Sequence, residues 1–288
     1  MKIIKQEKGS ITLFVLIAML FFVMFLVGMY MLSANSESSQ SAEVSRIKEI
    51  YEQDVNNIDD VYETLVTAKT NNYISDGLVV YYDLNQKNGV QNNILKDLSG
   101  NGNDGIINGA TVQNGYLQFD GIDDWVSIKE LNYSNVTIEA VVEYNQVPSN
   151  DEMSITSNFE NGGYALSNYS LKGSTPYNKF TAYVTDKYYS IASDNEIKTK
   201  HKYYLSGSYD GNKLTLSEDG NISSLQVEGT IKYPLNSTIM VLGTNPYGTS
   251  AYSSFFNGKI YAVRIYNRAL TEKEIMNNYT IDKVRFEK

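Results

Sequence analysis

Two hydrophobic periods divide the chain. Residues 9–32 read GSITLFVLIAMLFFVMFLVGMYML, with no Asp, Glu, Lys, Arg or His among them. At ~1.5 Å of rise per residue this run covers the ~30 Å hydrocarbon core of a bilayer, which predicts a transmembrane helix over residues 10–34. Lys2, Lys5 and Lys8 precede it, and the next cationic residue is Arg46. That asymmetry keeps the basic leader, residues 1–9, in the cytoplasm and exports the rest. Farther on, Val44, Ile47, Tyr51, Val55, Ile58, Tyr62 and Leu65 recur at intervals of three and four. They share one helical face, so residues 35–72 are predicted to form an amphipathic helix or stalk.

From Asp76 the period falls to two. Short runs rich in Tyr, Val and Ile, such as GLVVYYDL (77–84), VTIEAVVEY (136–144), KFTAYVT (179–185) and NGKIYAVRIYN (257–267), are separated by Gly, Asn and Asp turns. This spacing predicts an antiparallel sandwich. In VTIEAVVEY, Val136, Ile138, Ala140 and Val142 alternate with Thr137, Glu139, Val141 and Glu143, so one face points inward and the other mostly to solvent. The predicted fold is mostly β, an antiparallel two-sheet jelly-roll sandwich over residues 75–280 behind a long N-terminal helix, with a C-terminal tail at 281–288.

Composition narrows the function. There is no Cys, so neither a disulfide framework nor a thiolate metal site is available. The formal charge is −9; three Lys and one Glu give residues 1–34 a charge of +2, which leaves −11 for the remainder. That argues against nucleic acid as a partner, since binding it needs a basic face that releases phosphate counterions. Anionic glycans are disfavoured for the same reason.

Two resemblances follow from local motifs. The basic stretch ending in Gly9, followed by Ser10, Ile11, Thr12, Leu13 and Phe14, resembles a type IV prepilin leader cleaved between Gly9 and Ser10. Phe14 stands where major pilins carry Glu, and the alternative is an uncleaved signal anchor. Residues 77–280 resemble the laminin G-like, concanavalin A-like jelly-roll family in four ordered blocks. These are LKDLSGNGNDGIINGA (95–110), LQFDGIDDWVSI (117–128), HKYYLSGSYDGNKLTLSEDGN (201–221) and FNGKIYAVRIYNRALTEKEIMNNY (256–279). In the last, Thr271 and Glu274 are spaced as a capping box that opens a helix.

The resemblance implies a calcium ion, for which Asp97, Asn103, Asp104 and Asp120 supply the hard oxygen ligands that Ca²⁺ takes. One ligand is missing, because related jelly-roll enzymes place an Asp where this chain has Tyr261 or Ala262. The same Asn, Asp and Gly residues are also ordinary builders of tight turns. An enzyme is not expected. Retaining sandwich glycosidases need carboxylates ~5 to 5.5 Å apart, whereas Glu139 and Glu143 lie about 13 Å apart at strand rise. The single His, His201, begins a strand at a position that the resembled family fills for structural reasons, so a base or triad role is not expected.

Binding fits better. Tyr numbers 24 against 10 Phe and one Trp, and the pairs Tyr188-Tyr189 and Tyr203-Tyr204 must each turn one ring outward if they lie in strands. Tyr is equally a favoured residue for a solvated sheet surface. Trp125 is expected in the core. The sequence thus predicts a single-pass surface or pilin-like protein with its C-terminal domain extracellular, carrying a lectin-like domain that binds a glycan or a surface protein. The alternatives are a minor pilin or pseudopilin subunit that contacts other pilin-like subunits without binding sugar, and a degenerate glycoside hydrolase.

Overall fold

Alternation along the chain becomes two antiparallel sheets in the computed structural model, which describes residues 19–24, 72–147, 152–158, 162–169, 175–233, 239–247 and 251–287. The chain divides into two units, residues 1–63 and 64–288. In the first, residues 19–24 are helical and exposed. The predicted leader cleavage between Gly9 and Ser10, the rest of the 10–34 span and almost all of the 35–72 stalk lie outside the described residues. Among the described residues no helix is long and apolar enough to cross a membrane.

The second unit is the sandwich. Its first sheet contains β1 (Leu78–Asp83), β5 (Thr111–Gln113), β6 (Tyr116–Asp120), β8 (Val136–Tyr144), β13 (Lys202–Tyr209), β14 (Lys213–Glu218), β15 (Asn221–Gln226) and β19 (Asn257–Tyr266). They run in the order β15-β14-β13-β8-β19-β6-β5, and β1 also pairs with β19. The second sheet contains β2 (Val90–Gln91), β3 (Ile94–Leu95), β4 (Gly105–Asn108), β7 (Trp125–Ser127), β9 (Ser154–Ser157), β10 (Tyr164–Tyr169), β11 (Tyr177–Val184), β12 (Lys187–Glu196) and β16 (Val241–Leu242). Its order is β12-β11-β10-β9-β16-β7-β4-β3-β2. A hairpin of β17 (Asn245–Tyr247) and β18 (Ala251–Ser253) stands apart, and helix α1 (Glu272–Phe286) follows β19.

The core lies between the sheets. Val136, Ile138, Ala140, Val142 and Tyr144 of β8 meet Leu166 and Phe180 of the second sheet in one buried cluster. Gly207 in β13 is a close-approach position, because a Cβ there would lie 2.3 Å from the Phe180 ring. The outward face of β8 departs from expectation. Thr137, Glu139 and Val141 are buried as well. A second apolar cluster of Val141, Tyr204, Tyr261, Ala262 and Phe286, with Tyr279 packed on it, explains why: the C-terminal helix is laid over the sheet. The predicted capping box starts that helix. Thr271 Oγ1 accepts from Glu274 N, and Thr271 N donates to Glu274 Oε2 at 2.8 Å. Trp125 is corrected too: it is half-buried, because its neighbour Val126 takes the inward position of β7.

Candidate functional site

The covered face holds a buried charge network of Arg264, Glu139 and Asp282. Arg264 of β19 is 2 % exposed. Its Nε donates to Glu139 Oε2 at 2.7 Å, and its NH1 donates to Asp282 Oδ1 at 3.0 Å. Asn278 Nδ2 reaches Glu139 Oε2 at 2.8 Å and Tyr266 Oη at 2.9 Å. Burial pushes the Glu139 carboxyl above the usual range, against the pull of Arg264. The network extends to the segment that enters the domain. Tyr73 Oη donates to Asp282 Oδ1 at 2.7 Å, and the Arg264 guanidinium lies 4.1 Å from the Tyr73 ring centre. Glu143 is also engaged, by Lys259 at 2.7 Å and by Tyr261 Oη at 3.1 Å. Both carboxylates tie structure together: Glu139 and Asp282 share Arg264 and line only a recess of about 10 Å³, and Glu143 is held by Lys259.

The four predicted calcium ligands divide into two places. Asp97 Oδ1 accepts from Tyr81 N and Ser99 N, both at 3.0 Å. Its Oδ2 accepts from Ser99 Oγ and Asn103 N, both at 2.9 Å. Asp104 Oδ1 accepts from Asp97 N at 2.8 Å, while Lys96 Nζ pairs with Oδ2 and holds the carboxyl below its usual range. Asn103 Nδ2 donates to Val79 O, which leaves buried Asn103 Oδ1 as the orphaned oxygen of the set. A calcium ion takes six to eight oxygens, whereas here both carboxylates are engaged by N–H groups, the Ser99 hydroxyl and an ammonium and only Asn103 Oδ1 is left over, so the loop in this arrangement does not fit one.

Asp120 sits elsewhere. The residues of β4 separate Asp104 from Gly109, ~13 Å or more at strand rise. A Cβ on Gly109, whose φ is +79°, would meet Asp124 Oδ1 at 2.2 Å. Asp124 Oδ2 accepts from Asp120 N at 2.8 Å, and Asp120 Oδ1 accepts from Ile122 N at 2.8 Å. Asp120, Asp123 and Asp124 bring carboxylate oxygens within 4.8 Å of one another. Burial, and then the charges of the other two, raise the Asp124 carboxyl above its usual range.

The tyrosine candidates separate as sharply. Tyr203 is 2 % exposed and packs edge-on against Tyr144, its hydroxyl accepting from Lys198 N at 2.6 Å. Tyr204 does point to the opposite face, but it is covered by Tyr279 of α1 at a ring separation of 5.6 Å. The core takes Tyr203 and the helix that seals the first sheet takes Tyr204, so neither is free for a binding role. Tyr189 is half-buried against the core. Tyr188 is 51 % exposed. His201 pairs with Asp219 at 2.7 Å and is part of no triad.

Tyr188 is one member of an outward group on β10–β12. It opposes Tyr183, with ring centres 4.6 Å apart and planes inclined by 55°. The next pair along is Thr181 and Ser190, whose hydroxyls are 2.7 Å apart. Beyond it, Lys179 opposes Ser167, and both meet Glu152, at 3.2 Å from Lys179 Nζ and 2.8 Å from Ser167 Oγ. All of these point away from Leu166, Phe180 and Ile191, which are in the core. From Lys179 to Tyr183 the strip is ~14 Å long. Thr181, Lys179 and Ser167 are buried within it, so what it presents to solvent is Tyr188, the half-buried Tyr183 ring and the Ser190 hydroxyl, chemistry that stacks on an apolar ring face and exchanges a hydrogen bond with a hydroxyl. The signal was present in the alternation of KFTAYVT, whose outward residues are Lys179, Thr181 and Tyr183.

A laminin G family described as the Concanavalin A-like lectin/glucanases superfamily matches residues 113–276. No curated protein sequence matches the chain. Among solved structures, the chain is similar to domain 4 of AbnA, a GH43 extracellular arabinanase from Geobacillus stearothermophilus, in complex with arabinotriose. That match has 16% identity and a TM-score of 0.53, over 70% of this chain and 98% of that one. A Trypanosoma rangeli sialidase in complex with sialic acid matches with 15% identity and a TM-score of 0.52, over 73% of this chain and 33% of the sialidase. The botulinum neurotoxin serotype D/C VPI 5993 binding domain matches with 15% identity and a TM-score of 0.52, over 72% and 53%. The chain thus spans a third of the sialidase, about half of the toxin binding domain and nearly all of the arabinanase domain.

Proposed function

The chain belongs to the concanavalin A-like lectin/glucanases superfamily, and from that membership we propose that its jelly roll is a non-catalytic module that binds a neutral oligosaccharide. The observation that carries this reading is exposed Tyr188 stacked on half-buried Tyr183, with exposed Ser190 beside them, on the outside of β11 and β12, where buried Thr181 and Lys179 hold the strip in place. A pair of aromatic rings beside a hydroxyl held by a neighbouring threonine can take the apolar face and a hydroxyl of one sugar together. Neutral sugars are favoured over sialic acid because residues 35–288 carry −11, which repels a carboxylate ligand. Arabinotriose, the ligand of the arabinanase domain, is the natural first probe.

No hydrolysis is part of the reading, since Glu139 and Glu143 are held by Arg264 and Lys259. Calcium has no part in it either. The apolar run at residues 10–34 anchors the module in a membrane with the jelly roll outside, as an adhesive surface protein. The N-terminal residue of the protein recovered from cells separates the pilin-like form, which begins at Ser10, from a simple anchor, which keeps Met1.

The test is titration of the full chain with arabinotriose and a panel of neutral and sialylated oligosaccharides. Saturable binding to a neutral oligosaccharide, weakened at least tenfold by Tyr188→Ala, supports the proposal. Absence of binding to every sugar at high protein concentration overturns it in favour of a structural subunit. Hydrolysis abolished by Glu143→Gln would overturn it in favour of an enzyme.

A further inference from the structure

At one edge of the sandwich the sheets part, and β12 faces β14 and β15 across a cavity of about 280 Å³. On β14 the inward positions run Leu214, Leu216, Glu218; the first two join the core, and the third ends the series in a carboxylate only 3% exposed. Glu218 Oε2 accepts from Asn178 Nδ2 at 2.7 Å and Oε1 accepts from Asn195 Nδ2 at 3.2 Å. Tyr144 Oη donates to Asn178 Oδ1 at 2.7 Å, which turns the amide so that its N–H₂ faces Glu218. Both partners are neutral. Among the described residues no cation pairs with Glu218, and no Lys, Arg or His lines the cavity. Asn221 and Ser223 of β15, opposite Glu218 and Leu216, and Ser193 of β12 complete a hydrogen-bonding wall, with exposed Asp194 at the rim.

A carboxylate taken out of water is stable only with a charged or fully hydrogen-bonded partner, and this one faces an open slot whose other lining is neutral and polar, apart from Leu216 and the acid at its rim. We infer that the slot binds a small molecule through a protonated primary amine, with the ammonium against Glu218 and its remaining polar groups on Asn221, Ser193 and Ser223. The volume lies just under the ~300–1,000 Å³ of common ligand pockets, so the ligand is no larger than one amino sugar or one amino acid. The slot lies on the inner side of β12, while Tyr188 lies on the outer side. It therefore stands apart from the oligosaccharide reading.

Calorimetric titration of the full chain tests it, with glucosamine and 1,5-diaminopentane as amines, glucose and N-acetylglucosamine as uncharged controls, and calcium chloride as the metal alone. Binding of an amine but of neither control, weakened more than tenfold in Glu218→Gln and unchanged in Tyr188→Ala, supports the inference. Preference for glucosamine marks an amino sugar, and preference for the diamine marks an alkyl amine. The inference is overturned if no amine binds, if N-acetylglucosamine binds as well as glucosamine, if calcium displaces the amine at equal concentration, or if Glu218→Gln leaves binding intact. Should Glu218→Gln fail to fold, Ser223→Lys serves instead, since it carries its own ammonium into the slot from an edge strand. It should block amine binding without lowering the melting temperature; wild-type amine binding in that variant would also sink the inference.

Discussion

The outer surfaces of β8, β13 and β19 and of β10, β11 and β12 are written in the same alternation of inward apolar and outward polar residues, yet one is shut throughout and the other is open along β12. The first is roofed by α1, and its polar groups are spent on one another: Arg264 on Glu139 and Asp282, Asn278 on Glu139 and Tyr266. The second keeps Tyr188 and Ser190 in solvent. The difference teaches that carboxylates on a sandwich strand do not by themselves make a catalytic face, because what lies above the strand decides whether they meet substrate or a guanidinium.

The largest blow to this comparison is Arg264→Met. It leaves Glu139 and Asp282 buried without a cation, and breaking a buried pair in this way costs about 3–5 kcal/mol. Urea denaturation should show a loss in that range, with sugar binding by the surviving folded fraction unchanged. A loss below about 1 kcal/mol would mean the face is hydrated rather than sealed.

Next is Asp97→Ala, in the loop joining β3 to β4, where it also ties to β1. Four hydrogen bonds from Tyr81, Ser99 and Asn103 lose their acceptor, and at ~1 kcal/mol or less each the fold should lose about 2–3 kcal/mol. A chelator should leave the wild-type melting temperature within about 1 °C, since the loop is satisfied by protein donors. A rise of several degrees on adding calcium, lost in Asp123→Asn, would instead move the ion to Asp120, Asp123 and Asp124.

On the open face, Tyr188→Ala should change function and spare stability. Affinity for a neutral oligosaccharide is expected to fall at least tenfold, about 1.4 kcal/mol, while unfolding changes by less than about 0.5 kcal/mol, as for exposed positions. The inverse pattern, lost stability with binding intact, would make Tyr183 and Tyr188 a surface prop.

The sandwich was legible because period-two alternation reports burial directly. Val136, Ile138, Ala140 and Val142 enter the core as their spacing requires. What alternation cannot report is a second layer. Tyr203 and Tyr204 do face opposite ways, but α1 covers the outer ring, and the same helix buries Glu139. A hint lay in KIYAVRIYN, where Arg264 interrupts an apolar strand and so needs buried partners of opposite charge. Proximity in sequence brought Asp97, Asn103 and Asp104 together. It could not foresee that Asp120 lies beyond the far end of β4, nor that the N–H groups of a tight turn would consume the carboxylates first.

The smallest effect tests how the closed face is fastened. The Thr271–Glu274 capping box begins α1, and Arg268 reinforces it through NH2 to Glu274 Oε1 at 2.7 Å. That hydrogen bond, together with those from Thr271, holds the Glu274 carboxyl down to about 2, against ~4.3 in an unfolded chain. A carboxyl depressed on folding contributes stability that is complete above its unfolded pKa and is lost as pH falls toward its folded one. The melting temperature should therefore decline between about pH 5 and pH 2, and part of that decline should vanish in Glu274→Gln. Thr271→Ala removes the other half of the box and should cost ~1 kcal/mol at neutral pH. If neither variant alters the acid limb, α1 is held down by Phe286, Tyr279 and Arg264 alone. The closed face would then owe its closure to packing and the buried pair rather than to the start of its helix.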